Sequence, residues 1–196
     1  MTLSAAAAAL LCAVVLTGCA SPLLETASPS SASSDSETEL LAAHDLDGLD
    51  AAQVVEKLDT MPVDERPSDL TASVQPDILV LSDDQGRQAQ LPMPEDRTYV
   101  SVAPYREQTH DCYFHSLTTC LGELDGEDVR ITLTDSDGEQ LISQTRETFD
   151  NGFVGMWVPR GIEADLRIEH DGRSGTATVR TMADDDPTCL TTLRLT

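Results

Sequence analysis

The stretch Glu163-Ala164-Asp165-Leu166-Arg167-Ile168-Glu169-His170-Asp171-Gly172 decides the fold. Ala164, Leu166 and Ile168 alternate with charged residues, a period of two that puts the apolar set on one face of a strand. Asp171-Gly172 then supplies the residues that tolerate positive φ in a tight hairpin turn, and Thr176 to Arg180 alternates again. The same grammar appears upstream, where Val129-Arg130-Ile131-Thr132-Leu133-Thr134 runs into Asp135-Ser136-Asp137-Gly138. Phe153 to Val158 and Thr98 to Ala103 read as further strands. Ile78 to Leu81 closes on Ser82-Asp83-Asp84-Gln85-Gly86, and Arg87 to Leu91 can return beside it. Repeated short strands with such turns predict a small antiparallel sandwich or barrel-like domain over residues 76–196. No crossover helix of adequate length follows Tyr99, which argues against a purely α/β sheet.

Residues 40–75 carry helical signals instead. Leu40, Leu41, Ala43 and His44 form one short apolar face. Asp50 is placed to cap a helix in which Val54, Val55 and Leu58 recur at helical spacing, with Gln53 completing a capping box. Pro62 and Pro67 prevent a long continuation. The predicted class is therefore α+β or mainly β, with short N-terminal helices ahead of the antiparallel sheet.

The first 39 residues read as targeting and tether. Ala5 to Leu16 is apolar but too short to span a bilayer, and Leu16-Thr17-Gly18-Cys19 looks like a lipoprotein processing box. Residues 1–18 are read as a signal peptide, although Met1 to Ser4 contains no Lys or Arg. Cys12 leaves with that peptide and Cys19 carries the lipid, so the expected location is extracytoplasmic, anchored on the outer face of the cell membrane. Residues 19–39 are read as a flexible Ser-rich tether, because thirteen of the eighteen residues from Ser21 to Thr38 are Ser, Thr, Ala or Pro.

Charge narrows the partners. The chain has 35 Asp and Glu against 12 Lys and Arg, a formal charge of −23. Such a balance opposes binding to nucleic acid or to anionic lipid through a basic patch. Its plainest meaning is a heavily solvated acidic surface. Asp184-Asp185-Asp186 lacks the spacing and the terminal Glu of an EF-hand loop.

With Cys12 and Cys19 set aside, Cys112, Cys120 and Cys189 remain, an odd number for an exported chain. His110 and His115 flank the first of them. Three sulfurs with imidazole nearby suit Cu(I) or Zn(II), not Mg or Ca. Residues eight apart lie about 12 Å apart along a helix and about 26 Å apart along a strand. Cys112 and Cys120 can meet only if the chain turns between them. The spacing is not that of a zinc finger, and two readings stay open: a metal site, or a Cys112–Cys120 disulfide with Cys189 as a buried thiol. Met156 and Met182 offer thioethers but read more simply as core or edge residues.

Three segments resemble the CueP family of periplasmic copper-binding proteins: Val100 to Tyr105, Thr109 to Leu124 and Thr188 to Leu193. The resemblance implies a copper-handling protein outside the cytoplasm, linked to copper tolerance and to copper supply for an acceptor such as a Cu,Zn superoxide dismutase. It carries the family's metal-linked cysteines onto Cys112, Cys120 and Cys189, and implies N- and C-terminal domains and a capacity to form a homodimer. The lipid box and the Ser-rich segment depart from the Gram-negative pattern and fit a Gram-positive, membrane-anchored member. The expected activity is storage or transfer of Cu(I) without catalytic turnover, His110 or His115 ligating the metal or donating a hydrogen bond to sulfur. Zn(II) is the competing metal, since a histidine would complete its tetrahedron. The alternative activity is thiol redox chemistry, in which Cys112 and Cys120 cycle between dithiol and disulfide, with or without reduction of Cu(II). A zinc-binding or purely structural surface lipoprotein is the remaining class.

Overall fold

The computed structural model describes the backbone of residues 29–196 and the side chains of residues 34–196. The residues read as a signal peptide, Cys19 and the first part of the stretch read as a tether lie outside the described residues. Among the described residues two α-helices come first, α1 (Pro29–Ala43) and α2 (Ala51–Asp59). Asp50 caps α2 as its sequence demands: its carboxylate accepts from the Gln53 N–H, and the Gln53 side chain accepts from the Asp50 N–H. Ala51, Val54, Val55 and Leu58 form the buried stripe of α2.

Eleven strands follow: β1 (Leu70–Val74), β2 (Ile78–Asp83), β3 (Gln88–Pro92), β4 (Arg97–Val102), β5 (His115–Ser116), β6 (Asp128–Asp135), β7 (Gln140–Glu147), β8 (Val154–Pro159), β9 (Glu163–His170), β10 (Arg173–Arg180) and β11 (Cys189–Leu190). They form three sheets, ordered β3-β2-β1-β5, β10-β9-β6-β7 and β11-β4-β8. The deciding stretch is β9, paired antiparallel with β10 through the Asp171-Gly172 turn, with His170 opposite Arg173. Both turn residues have positive φ, Asp171 at 50° and Gly172 at 75°, which is the geometry that Asp-Gly supplies.

The structure corrects the sequence reading in three places. First, α1 takes in residues 29–39 of the stretch read as a tether. Leu40 is fully buried and α1 packs against β3, so the docked turn gives the helix a base from which it extends backwards. Second, β1 lies in the segment read as helical. Its alternation of buried Leu70, Ala72 and Val74 is muted in sequence by small residues on both faces. Third, not every pairing is antiparallel, because β11 runs parallel to β4 with Cys189 beside Ser101.

Strand β4 organises the interior. Val100 and Val102 point into a core built on the second and third sheets, with Ile131, Leu133, Leu166 and Ile168. Tyr99 points the other way, into a core made by the helices and the first sheet. Successive side chains of a strand face opposite sides, so one strand serves two cores. A third, smaller cluster joins Ala103, Cys120, Phe153 and Cys189 with Cys112 packed against it. That cluster holds the sulfurs.

Candidate metal centre

The turn required between Cys112 and Cys120 is present. Strand β5 places His115 opposite Val74 on β1, the chain then reverses, and the Cys120 N–H donates to the Ser116 carbonyl at 3.2 Å. This brings the sulfurs of Cys112 and Cys120 to 3.5 Å. Cys189 arrives on β11 from the far end of the chain. The N–H groups of Thr188 and Cys189 both donate to the Tyr113 carbonyl, at 3.0 and 3.1 Å. Thr188 also ties the sheets together, since its hydroxyl donates to the Val74 carbonyl and accepts from the His115 N–H at 3.1 Å.

The donor atoms of Cys112, His115, Cys120 and Cys189 all lie within 4.8 Å of one another. His115, Cys120 and Cys189 are buried and Cys112 is half-buried. Cys112 and Cys189 are joined as a disulfide, their Cα atoms 5.6 Å apart, and Cys120 is a free thiol. The sequence alternative of a Cys112–Cys120 disulfide with Cys189 free is therefore corrected. The cause is the backbone stitching of Tyr113 to β11, which nothing local to residues 112–120 encodes.

His115 is fully buried and its two nitrogens face different tasks. Nε2 is 2.9 Å from Asp59 Oδ1, while Nδ1 faces the sulfurs, 3.9 Å from Cys189 Sγ. Asp59 is itself held by the Tyr99 hydroxyl at 2.6 Å and the Asn151 amide at 2.9 Å. A carboxylate behind an imidazole orients the ring, and once the Nδ1 proton is displaced that nitrogen's lone pair can meet a metal. Burial alone would lower the pKa of His115, but the charge and hydrogen bond of Asp59, aided by Cys120, lift it to about 9. Burial opposes ionisation of Asp59, and His115, Tyr99 and Asn151 overcome it, holding the carboxyl below its usual range. Burial likewise pushes the Cys120 thiol up, and His115 with the Ser116 N–H brings it down past its ordinary value. Arg66 adds a fourth charge, donating from Nη1 to the Cys120 carbonyl at 3.0 Å.

Two glycines make room for this arrangement. A Cβ on Gly155 of β8 would overlap the Tyr99 hydroxyl that reaches Asp59. Gly152 has φ +75°, and its Cβ would strike the Gly122 backbone at 2.7 Å. That contact lets the turn before β8 seat Phe153 against the His115 ring, centroids 4.6 Å apart.

Of the residues singled out in sequence, Cys112, Cys120, Cys189 and His115 converge. His110 does not join them: it sits edge-on to Phe153 at 6.1 Å and lines a separate cavity with Gln108, Leu121 and Glu123. Met156 is in the core and Met182 is exposed. Sequence reasoning missed Asp59, Tyr99 and Asn151. Asp59 had a signal, since it falls four residues after Val55 on the buried stripe of α2. It also puts a negative charge at a helix C-terminus, where the macrodipole disfavours one.

Three sulfurs and a carboxylate-backed imidazole make a buried donor cluster capable of coordinating a metal ion, which defines a metal-binding class of protein. The comparisons with known proteins narrow that class. The model of the family described as periplasmic copper-binding protein CueP matches residues 53–194. The crystal structure of S.CueP superposes with a TM-score of 0.76 at 36% sequence identity, covering 82% of this chain and 97% of that one. No curated protein matches the chain. The chain belongs to the CueP family.

Proposed function

We propose that this protein binds Cu(I) outside the cytoplasm and holds or hands on the ion through Cys112, Cys120 and Cys189, contributing to copper tolerance or supply. The observation that carries this reading is the convergence of three sulfurs and His115 Nδ1 within 4.8 Å. A d¹⁰ cuprous ion takes two or three thiolates readily, and a metal keeps such sulfurs deprotonated. Charge supports the reading too: burial raises the Cys120 thiol, but His115 and the Ser116 N–H bring it below its ordinary value. Four donors are also the number that Zn(II) takes, so membership of a family described as copper-binding weighs toward Cu(I).

Anaerobic titration of the reduced chain tests it. We expect about one Cu(I) per chain, held against a competing chelator, with each single Cys→Ser change weakening binding strongly. X-ray absorption of the loaded form should show a first shell of sulfur. A first shell of nitrogen or oxygen, or full affinity in Cys189→Ser, refutes the three-sulfur site.

A second reading is supported by the Cys112–Cys189 disulfide. Two Cu(II) ions each take one electron from the Cys112–Cys189 dithiol, giving two Cu(I), the disulfide and two protons. Loss of two thiols for every two Cu(II) reduced separates this from passive binding. We further propose that Cys19 carries a lipid that anchors the chain to the membrane, which Cys19→Ser tests by loss of lipid attachment. A Cu,Zn superoxide dismutase is one acceptor of suitable chemistry.

A further inference from the structure

The three exposed large hydrophobic residues among those described all lie on segments that carry or lead to the sulfurs. Tyr113 (56% exposed) follows Cys112, Leu121 (54%) follows Cys120, and Met182 (60%) stands on the loop that leads to Cys189. Two of them, Tyr113 and Met182, are linked through one loop. The Tyr113 hydroxyl donates to the Asp185 carbonyl at 2.6 Å, clamping that loop beside the first cysteine segment. The loop is held in shape by Asp186, whose carboxylate accepts from the N–H groups of Met182 and Ala183 at 2.6 and 2.8 Å. Leu121 shares a cavity with His110, two residues ahead of Cys112. Side chains of this kind cost solvation when left in water, and their grouping at a functional site marks an interaction surface.

The geometry also indicates which sulfur faces a visitor. Cys112 alone among the four donors is half-buried. The exposed charges beside it have one sign: Asp111 precedes it, and Asp184 and Asp185 sit on the clamped loop. The basic groups near the site are turned inward or already engaged. Arg66 donates to the Cys120 carbonyl, and Arg180 lies 3.8 Å from Asp186 and 3.4 Å from Glu163.

We propose that Tyr113, Leu121 and Met182 form the apolar centre of a docking surface at the sulfur cluster, and that its acidic margin selects a copper acceptor whose own soft-ligand site is rimmed by basic residues. The inference deepens the Cu(I) reading above and rests on it. Copper crosses without a change of oxidation state. The first acceptor thiolate bonds to the ion as the bond to Cys112 Sγ breaks, the second bonds as those to Cys120 and Cys189 break, the protons shed by the two acceptor thiols end on the vacated sulfurs, and no electron moves. Complementary charge at such a margin acts on the rate of encounter more than on final affinity.

The test uses the full chain loaded with Cu(I), and two synthetic peptides as acceptors. Each peptide has the same cysteine pair with leucines beside it, one flanked by lysines and the other by glutamates. At low salt the lysine-flanked peptide should take copper about tenfold faster, within the range of electrostatic steering. The advantage should shrink at ~0.5 M salt, where the screening length is about 4 Å. Combining Asp111→Asn, Asp184→Asn and Asp185→Asn should abolish the preference while leaving Cu(I) affinity unchanged. Combining Asp137→Asn, Glu139→Gln and Glu147→Gln, exposed positions on the β6–β7 hairpin of the second sheet, should leave it intact. Leu121→Gln, at an exposed position, should slow transfer to both peptides at unchanged affinity. Equal rates for the two peptides, or a preference that survives the local triple and disappears in the hairpin triple, overturns the proposal in favour of overall net charge. An unchanged rate in Leu121→Gln overturns the apolar centre. A reduced chain that never loads with Cu(I) overturns the copper reading along with the surface, whereas one that loads but discriminates nothing overturns the surface alone.

Discussion

Asp59→Asn is the substitution that most directly tests the buried polar core of the site. Asparagine keeps the shape of the side chain and one carbonyl oxygen for Nε2 of His115, but removes the charge. In the disulfide-bonded, metal-free chain His115 is raised from 6.5 to about 9, with Asp59 as the largest favourable influence. At about 1.4 kcal/mol per pH unit that corresponds to roughly 3 kcal/mol of coupling. The direction follows from linkage. A raised histidine contributes stability that is fully present below pH 6.5 and is lost as pH rises through about 9. The lowered carboxyl of Asp59 contributes stability that is present above its ordinary value of 3.8 and is lost in acid. The pair is therefore worth most between pH 3.8 and 6.5. Thermal melts of both proteins at pH 6 and pH 10 isolate it, because packing changes caused by the new side chain cancel between the two pH values. The deficit of Asp59→Asn should be larger at pH 6 by roughly 3 kcal/mol, or about 6–12 °C for a chain of this size. A deficit equal at both pH values would refute the charged pair.

Other outcomes follow from the same geometry. Gly155→Ala drives a methyl group into the Tyr99 hydroxyl, and should cost about 1–3 kcal/mol in denaturant unfolding, as overpacking does. Tyr99→Phe, which removes only the hydrogen bond to Asp59, should cost about 1–2 kcal/mol by the same measurement. His115→Ala should weaken Zn(II) more than Cu(I) in competition titrations, because it removes one of four donors that zinc uses and copper can do without. His110→Ala should leave both metals within about threefold, the scatter of a change outside the donor cluster. Truncation to residue 34 should leave the melting temperature unchanged, whereas truncation beyond Leu46 removes the buried Leu40 and Leu46 and should lower stability by at least about 3 kcal/mol.

The sheets were legible where the chain alternates cleanly and ends in a turn, as at β9 and β6. They were obscure where small residues blur the alternation, as at β1. Strand β7 also escaped, because its pattern of half-buried and exposed residues gives an edge strand no apolar face to announce it. At the site, residue type was enough to single out the cysteines and His115. Which sulfurs pair was not readable, because it is set by a carbonyl at Tyr113 meeting two N–H groups at Thr188 and Cys189. The exclusion of His110 is likewise a matter of register: the short strand β5 fixes the direction of His115 but leaves His110 on the preceding loop. Asp59 could have been found by asking why an acid follows Val55 at helical spacing.

The placement of the donors bears on how the molecule breathes. His115 is paired to the first sheet, Cys189 to the third, and the carboxylate behind His115 ends a helix. Cooperative unfolding units usually follow contiguous motifs, and this site belongs to none of them alone. An excursion that frees the first sheet takes His115 from the sulfurs, and one that frees the third takes Cys189. A metal bound here therefore penalises the opening of either of these two sheets. Amide exchange in loaded chains should slow in both cores together, including at backbone groups far from any sulfur.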